Sequence, residues 1–364
     1  MKTIHVHAAP SEYFLQKGAL ELLESKLEER NFKKVLVVHG VKSWEVTKEY
    51  WPKMTEIQTE EYTYGGECSL SEIEKVSNLV MTNKFEAIIG VGGGKVLDLV
   101  KASGNHTNKP VVLIPTLASN CAPWTPLSVL YDDFGAFIRF DIYPVSTSLL
   151  LIEPEILVNA PIDLFIAGIG DTLAKWYEAD VQLRTITNKT VPMMISYYAA
   201  QQCKEILLKS SKEAVLAVQN GKLNDDFIKV VETIIVYAGM VGGFGDHFGR
   251  TTGAHSIHNG LTVLEETHQA LHGSKVAYGI LIQLVLENRW DEIKQLLPFY
   301  QQLGLPLSLK ELGIDAITNE MIHQVAKKAT IPEETIHLMP IGSITSARVS
   351  SAIKELEQFY LGSK

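Results

Sequence analysis

The sequence predicts an α/β domain with a mainly parallel sheet, followed by an all-helical domain, and three observations carry that reading. Four short apolar runs in the first part have the length of strands covered on both faces. Segments of helical character separate the first three of them. Beyond Pro161 strand-like runs are nearly absent while helical spacing continues. The boundary falls between Pro154 and Pro161, which gives an α/β domain over residues 1–158 and a helical domain over 159–364. A chain of 364 residues is long enough for each to bury its own core.

In chain order, residues 20–30 form a charged helical stretch, and Val35-Leu-Val-Val38 is the first buried strand. Ala87-Ile-Ile-Gly-Val91, Val111-Val-Leu-Ile114 and Leu149-Leu-Leu-Ile152 are the others, bounded by glycine, proline or polar residues. Residues 167–178, 193–208, 226–241, 276–287 and 291–302 carry helical spacing. With no repeat and no low-complexity linker, the domains are expected to pack closely, with a ligand site in their cleft.

Composition excludes several classes. Hydrophobic residues make up 46% and charged ones 21%, as in ordinary globular proteins. A net charge of −9 with no long basic run argues against nucleic-acid binding. Cys68, Cys121 and Cys203 form no C-x-x-C pair and no disulfide framework, which suits a reducing compartment. The N-terminus lacks a signal-peptide core, and no uninterrupted apolar run approaches about 20 residues, so no membrane partner and a cytoplasmic location are expected.

Gly90-Val-Gly-Gly-Gly-Lys95 follows a strand and opens a helix. Glycines let backbone approach a ligand closely, and the free amides at a helix start suit a pyrophosphate. The pattern matches neither G-x-G-x-x-G nor a P-loop, so it points to phosphate without naming the nucleotide.

A second cluster lies in the helical part. His255 and His258 share one helical face, with Asn259-Gly260 read as the helix end, and four of the eleven histidines fall between His255 and His272. Asp171, in Gly168-Ile-Gly-Asp171, taken alone reads as a helix N-cap ahead of a ligand. Together Asp171, His255 and His272 make a three-ligand set that leaves one position open, as catalytic Zn²⁺ requires; the same donors suit Fe²⁺.

These residues resemble the iron-containing alcohol dehydrogenase superfamily, and within it the glycerol dehydrogenase branch. The resemblance rests on Gly65-Gly-Glu-Cys-Ser69, the 90–95 loop, Pro115-Thr-Leu-Ala-Ser119, Leu127-Ser-Val-Leu-Tyr131, Gly170-Asp-Thr-Leu-Ala174, residues 254–262 and His272-Gly-Ser-Lys-Val-Ala-Tyr-Gly279, in the family's order. It implies a dehydroquinate synthase-like two-domain architecture, a metal in the cleft, NAD or NADP as cofactor and a homo-oligomer acting on a small molecule. It assigns Asp171, His255 and His272 to the metal. It assigns Gly92, Gly93, Gly94, Lys95, Asp98, Thr116, Ser119, Thr125, Leu127 and Tyr131 to the cofactor. His258 matches a histidine beside the site, with a proton-relay role open.

Two departures bear on specificity. Cys121 stands where the glycerol enzymes carry a polyol-binding aspartate, and a thiol is a poor hydrogen-bond acceptor. Residues 120–128 and 168–178 look closer to the hydroxycarboxylate dehydrogenases, which interconvert 2-hydroxy and 2-oxo acids. The first strand ends in His39-Gly40, without the acid that would bind the adenosine ribose of NAD; Lys42 and Ser43 nearby keep NADP open. The alternatives are a glycerol (polyol) dehydrogenase, a dehydroquinate synthase-type lyase, which would need a denser set of basic residues, and a non-catalytic nucleotide sensor.

Overall fold

The computed structural model describes residues 4–362. The chain divides into two compact units. One comprises residues 7–161 with 217–223; the other takes residues 4–6, 162–216 and 224 onward.

The first unit holds eight strands and five helices. The strands are β1 (Tyr13–Leu15), β2 (Lys34–His39), β3 (Gln58–Thr63), β4 (Ala87–Gly92), β5 (Val111–Pro115), β6 (Leu127–Tyr131), β7 (Phe137–Ile142) and β8 (Leu149–Ile152). The helices are α1 (Leu23–Glu29), α2 (Val41–Thr47), α3 (Leu70–Thr82), α4 (Gly94–Thr107) and α5 (Pro154–Val158). Six strands make one parallel sheet in the order β1-β8-β5-β4-β2-β3. Strands β4, β5 and β8 are buried along their whole length, which is why they read as continuous apolar runs. β3 is an edge strand, and its sequence QTEEYT is mostly exposed. Glutamates there discourage pairing with another chain. From β2 the chain runs out to β3, then crosses back over β2 to β4 and onward to β5. The order therefore reverses between β2 and β4, the place where open α/β sheets bind ligands beyond the strand ends.

β6 and β7 form a separate antiparallel hairpin. A buried pair holds it to α4. Lys101 ion-pairs with Asp98 at 2.9 Å and donates to the carbonyls of Ala122 (2.7 Å), Thr125 (3.0 Å) and Leu127. The backbone NH of Val129 donates to Asp98 at 3.0 Å. One helix turn thus fixes the loop carrying Cys121 and Thr125 and the start of β6.

The second unit is helical: α6 (Ile162–Leu183), α7 (Val191–Asn220), α8 (Asp225–Glu232), α9 (Ala238–Gly245), α10 (Gly253–Leu261), α11 (His272–Leu286), α12 (Trp290–Leu303), α13 (Asn319–Ala329) and α14 (Ser346–Gly362). A π-helical segment, Thr233–Tyr237, joins α8 to α9. The stretch Asp225–Gly249 is long and apolar enough in composition to cross a bilayer. Phe227, Val230, Val231, Ile234, Ile235 and Val241 along it are fully buried, so it is read as a core helix.

Candidate metal centre and nucleotide cradle

α6 begins at Ile162, directly after Pro161, and runs without a break through Gly168 and Gly170. Asp171 therefore lies in mid-helix, and its reading as an N-cap is overturned. The cap reading rested on residue type alone, since aspartate is a common N-cap; tertiary packing carries the helix through both glycines despite a cost of about 1 kcal/mol for each. Asn259 and Gly260 lie in the last turn of α10, which ends one residue further on, at Leu261, close to where the sequence places its end.

Backbone contact between helices assembles the group. A Cβ on Gly273 would lie 1.8 Å from the carbonyl oxygen of Ala167, so α11 can meet α6 only without a side chain there. A Cβ on Gly279 would lie 2.3 Å from the carbonyl oxygen of Ala254, and the same argument holds for α11 and α10. His272 opens α11, His255 sits in the first turn of α10, and Asp171 faces both.

The ligand atoms of Asp171, His255 and His272 lie within 4.8 Å of one another. Asp171 Oδ1 is 3.2 Å from His255 Nε2 and 3.4 Å from His272 Nε2, yet it is buried with no hydrogen-bond partner. A buried carboxylate oxygen left unpaired costs on the order of 1–3 kcal/mol or more, and a cation shared with the two imidazoles would remove that cost. One oxygen and two nitrogen donors fit a borderline divalent ion. The His272 side chain is 53% exposed, so the group is open on one side, where a further ligand can enter.

Charge reinforces the arrangement. Burial opposes ionisation of Asp171, but the Lys175 ammonium and the two imidazoles outweigh it and hold the carboxyl well below its usual range. Burial pulls the other way on His255, yet Glu178 and Asp171 raise its pKa to about 9.

Glu178 is a residue that sequence reasoning missed. It lies two helical turns beyond Asp171 on α6, and that i, i+7 spacing was the available signal. Its side chain is buried, and it accepts from the backbone NH groups of Thr252 (2.8 Å) and His255 (3.0 Å) and from His255 Nδ1 (2.7 Å). A carboxylate accepts only, so Glu178 holds a proton on His255 Nδ1, and Nε2, which faces Asp171, is the nitrogen a metal would take by displacing its proton.

His258 lies behind His272. Its Nε2 is 2.9 Å from His272 Nδ1 and its Nδ1 is 3.0 Å from Asn259 Oδ1. Burial, then the charges of His272 and His255, hold its pKa well below the usual value, which favours the neutral ring. Both ring nitrogens are engaged, so the ring is held in place behind His272.

In the α/β unit, the predicted phosphate loop spans the end of β4 and the start of α4, where the helix N-cap is Gly93 and no side chain caps the free amides. Thr116, just past β5, is tied to the loop through its backbone NH to the Gly92 carbonyl at 3.1 Å. Lys95 ion-pairs with Glu67 and lies over the Tyr131 ring, 5.2 Å from its centroid. Ser119, Cys121 and Thr125 stand half-buried on the loop after β5, and Leu127 begins β6. Asp98 turns its carboxylate toward Lys101 and Val129, so it supports the strand bearing Leu127 and Tyr131 and offers no exposed face of its own. At the end of β2, His39 stacks on Trp44, with centroids 4.7 Å apart. Ser43 Oγ accepts from the Gly40 NH and lies 3.0 Å from the Val91 carbonyl, so its hydroxyl is engaged, while Lys42 is exposed.

A parallel sheet with a glycine loop at a helix start and a helical unit with a carboxylate–bis-imidazole group suit a metal-dependent, nucleotide-linked enzyme, and comparison with known proteins shows the class. The iron-containing alcohol dehydrogenase model matches residues 10–152. The chain is 37% identical to hydroxycarboxylate dehydrogenase A of Escherichia coli K12, covering 98% of both chains. It is 36% identical to the glycerol dehydrogenase of Thermotoga maritima, covering 96% of both. Among solved structures, the glycerol dehydrogenase of Schizosaccharomyces pombe superposes with a TM-score of 0.88 at 30% identity, over 99% of this chain and 92% of that one. The chain belongs to the iron-containing alcohol dehydrogenase family and is an oxidoreductase.

Proposed function

We propose that the chain is a metal-dependent, NAD(P)-linked dehydrogenase that interconverts a 2-hydroxy acid and a 2-oxo acid, working as a homo-oligomer. The observation that carries the metal is the buried, unpaired Asp171 Oδ1 facing two imidazole nitrogens. Asp171, His255 and His272 would hold one divalent ion, with Zn²⁺ favoured by the three-ligand set and Fe²⁺ compatible with it. When bound, the ion supplies Lewis-acid polarisation of the substrate oxygen. Glu178 keeps His255 in the ligating tautomer, and His258 orients His272. The amides opening α4, at the positive end of its dipole, would bind the cofactor pyrophosphate. The cofactor would supply the hydride chemistry, and the protein's task would be orientation and electrostatics.

Cys121 supports the substrate class. A thiol offers a polyol hydroxyl little, and the absence of a carboxylate there removes repulsion toward an anionic substrate. The hydroxycarboxylate relative is consistent with this, while the glycerol dehydrogenase relatives support a polyol as the rival.

A substrate screen tests the proposal. NADH and NADPH are offered separately with short 2-oxo acids and with dihydroxyacetone, and kcat/KM is measured for each. Short 2-oxo acids are expected to be the better substrates. Cys121→Asp is expected to move the ratio toward dihydroxyacetone by about tenfold, the worth of one added hydrogen bond. Parent enzyme that reduces dihydroxyacetone and ignores 2-oxo acids overturns the acid reading.

A further inference from the structure

Behind His272 a line of hydrogen bonds runs away from the metal ligands and ends on a residue far along the chain. His272 Nδ1 meets His258 Nε2 at 2.9 Å, and His258 Nδ1 meets Asn259 Oδ1 at 3.0 Å. Asn259 Nδ2 meets both carboxylate oxygens of Glu334, at 3.0 and 3.1 Å. Glu334 lies between α13 and α14, just before the 3₁₀ turn Thr335–Leu338.

The chemistry of the last member sets the direction of the whole line. An ionised carboxylate accepts and cannot donate, so the Asn259 NH₂ must face Glu334. The Asn259 carbonyl then faces His258 and requires a proton on His258 Nδ1. A neutral His258 then has a lone pair on Nε2, which accepts from His272 Nδ1–H. The remaining nitrogen of His272, Nε2, is left as a lone pair, and it is the atom that faces Asp171 at 3.4 Å.

We propose that Glu334 is a positioning residue that fixes His272 in its metal-ligating tautomer through Asn259 and His258, as Glu178 does directly for His255. This rests on the reading of Asp171, His255 and His272 as a metal site. With glutamine at 334 the end of the line can donate as well as accept. Asn259 is then free to flip, His258 can shift its proton to Nε2, and His272 can place its own proton on the ligating nitrogen. Metal entry would then have to displace that proton.

The test uses the full-length chain with histidine labelled in ¹⁵N, stripped of metal and titrated with Zn²⁺ against a competing chelator. Glu334→Gln is expected to weaken Zn²⁺ binding about tenfold, at the low end of the range for partners behind a ligand. In the metal-free protein its His272 ring should show mixed Nδ1–H and Nε2–H signals where the parent shows Nδ1–H alone. Glu334→Asp, which keeps the acceptor-only end, should restore both readouts and so separates tautomer control from general destabilisation. Parent-like affinity together with a parent-like His272 tautomer in Glu334→Gln overturns the proposal. His272→Ala run beside it separates the two claims. Parent-like Zn²⁺ affinity in that variant brings down the metal reading itself, whereas lost binding upholds it, and the Glu334 variants then decide the positioning role alone.

Discussion

His272→Ala lowers turnover by about three orders of magnitude or more, the scale of losing an electrostatic group at the reacting centre, while dissociation of NAD(P)H changes less than twofold. The separation follows from where the parts lie. His272 opens α11 in the helical unit, and its imidazole is one of three converging on a single point. The glycine cradle and its uncapped amides belong to the α/β unit and owe nothing to that ring. Steady-state assays give the first quantity, and quenching of protein fluorescence by the reduced cofactor gives the second. Turnover within tenfold of the parent would contradict a catalytic role for the ligand set.

Lys101→Met destabilises the fold by about 3–5 kcal/mol, the cost of removing one partner of a buried ion pair and stranding the other. Asp98 and Lys101 are both buried, 6% and 4% exposed, so solvent cannot take over from the missing ammonium. Three carbonyls in the loop and at the start of β6 lose their donor at the same time. Denaturant unfolding of parent and variant measures the loss. Asp98→Asn with Lys101→Met together should recover part of it, since no buried charge then remains. A loss below about 1 kcal/mol would mean that the pair does not hold the hairpin.

How far the sequence could be read differs by element, for physical reasons. β2, β4, β5 and β8 are legible because strands covered on both faces must be apolar throughout. β3 is not, since an edge strand written QTEEYT has no apolar run to find. The hairpin is hidden as well. Phe137, Ile138 and Phe140 of β7 are exposed, so no alternation marks which face is inward. In the helical part, Gly170 and Gly273 look like helix breakers in one dimension, and only the packing of α6 on α11 shows that they are contact points.

The candidate site divides the same way. Asp171, His255 and His272 stand in motifs that can be recognised, and the fold brings them together. Glu178 closes the 168–178 segment, where only its two-turn spacing from Asp171 points to it, and Glu334 stands in no motif. Each acts through the hydrogen bond it accepts, which no burial pattern announces. Lys101 reads as a surface residue of an amphipathic helix until the loop over α4 is seen to cover it.

The central claim is that Asp171, His255 and His272 together hold one catalytic divalent ion, and metal content measures it most directly. The purified full-length chain and its Asp171→Ala variant are equilibrated with equal Zn²⁺, freed of unbound ion, and analysed for metal per chain alongside turnover. About one ion per chain is expected in the parent, little in the variant, with turnover that follows the bound ion. An Asp171→Ala protein that keeps its metal and its activity would contradict the claim.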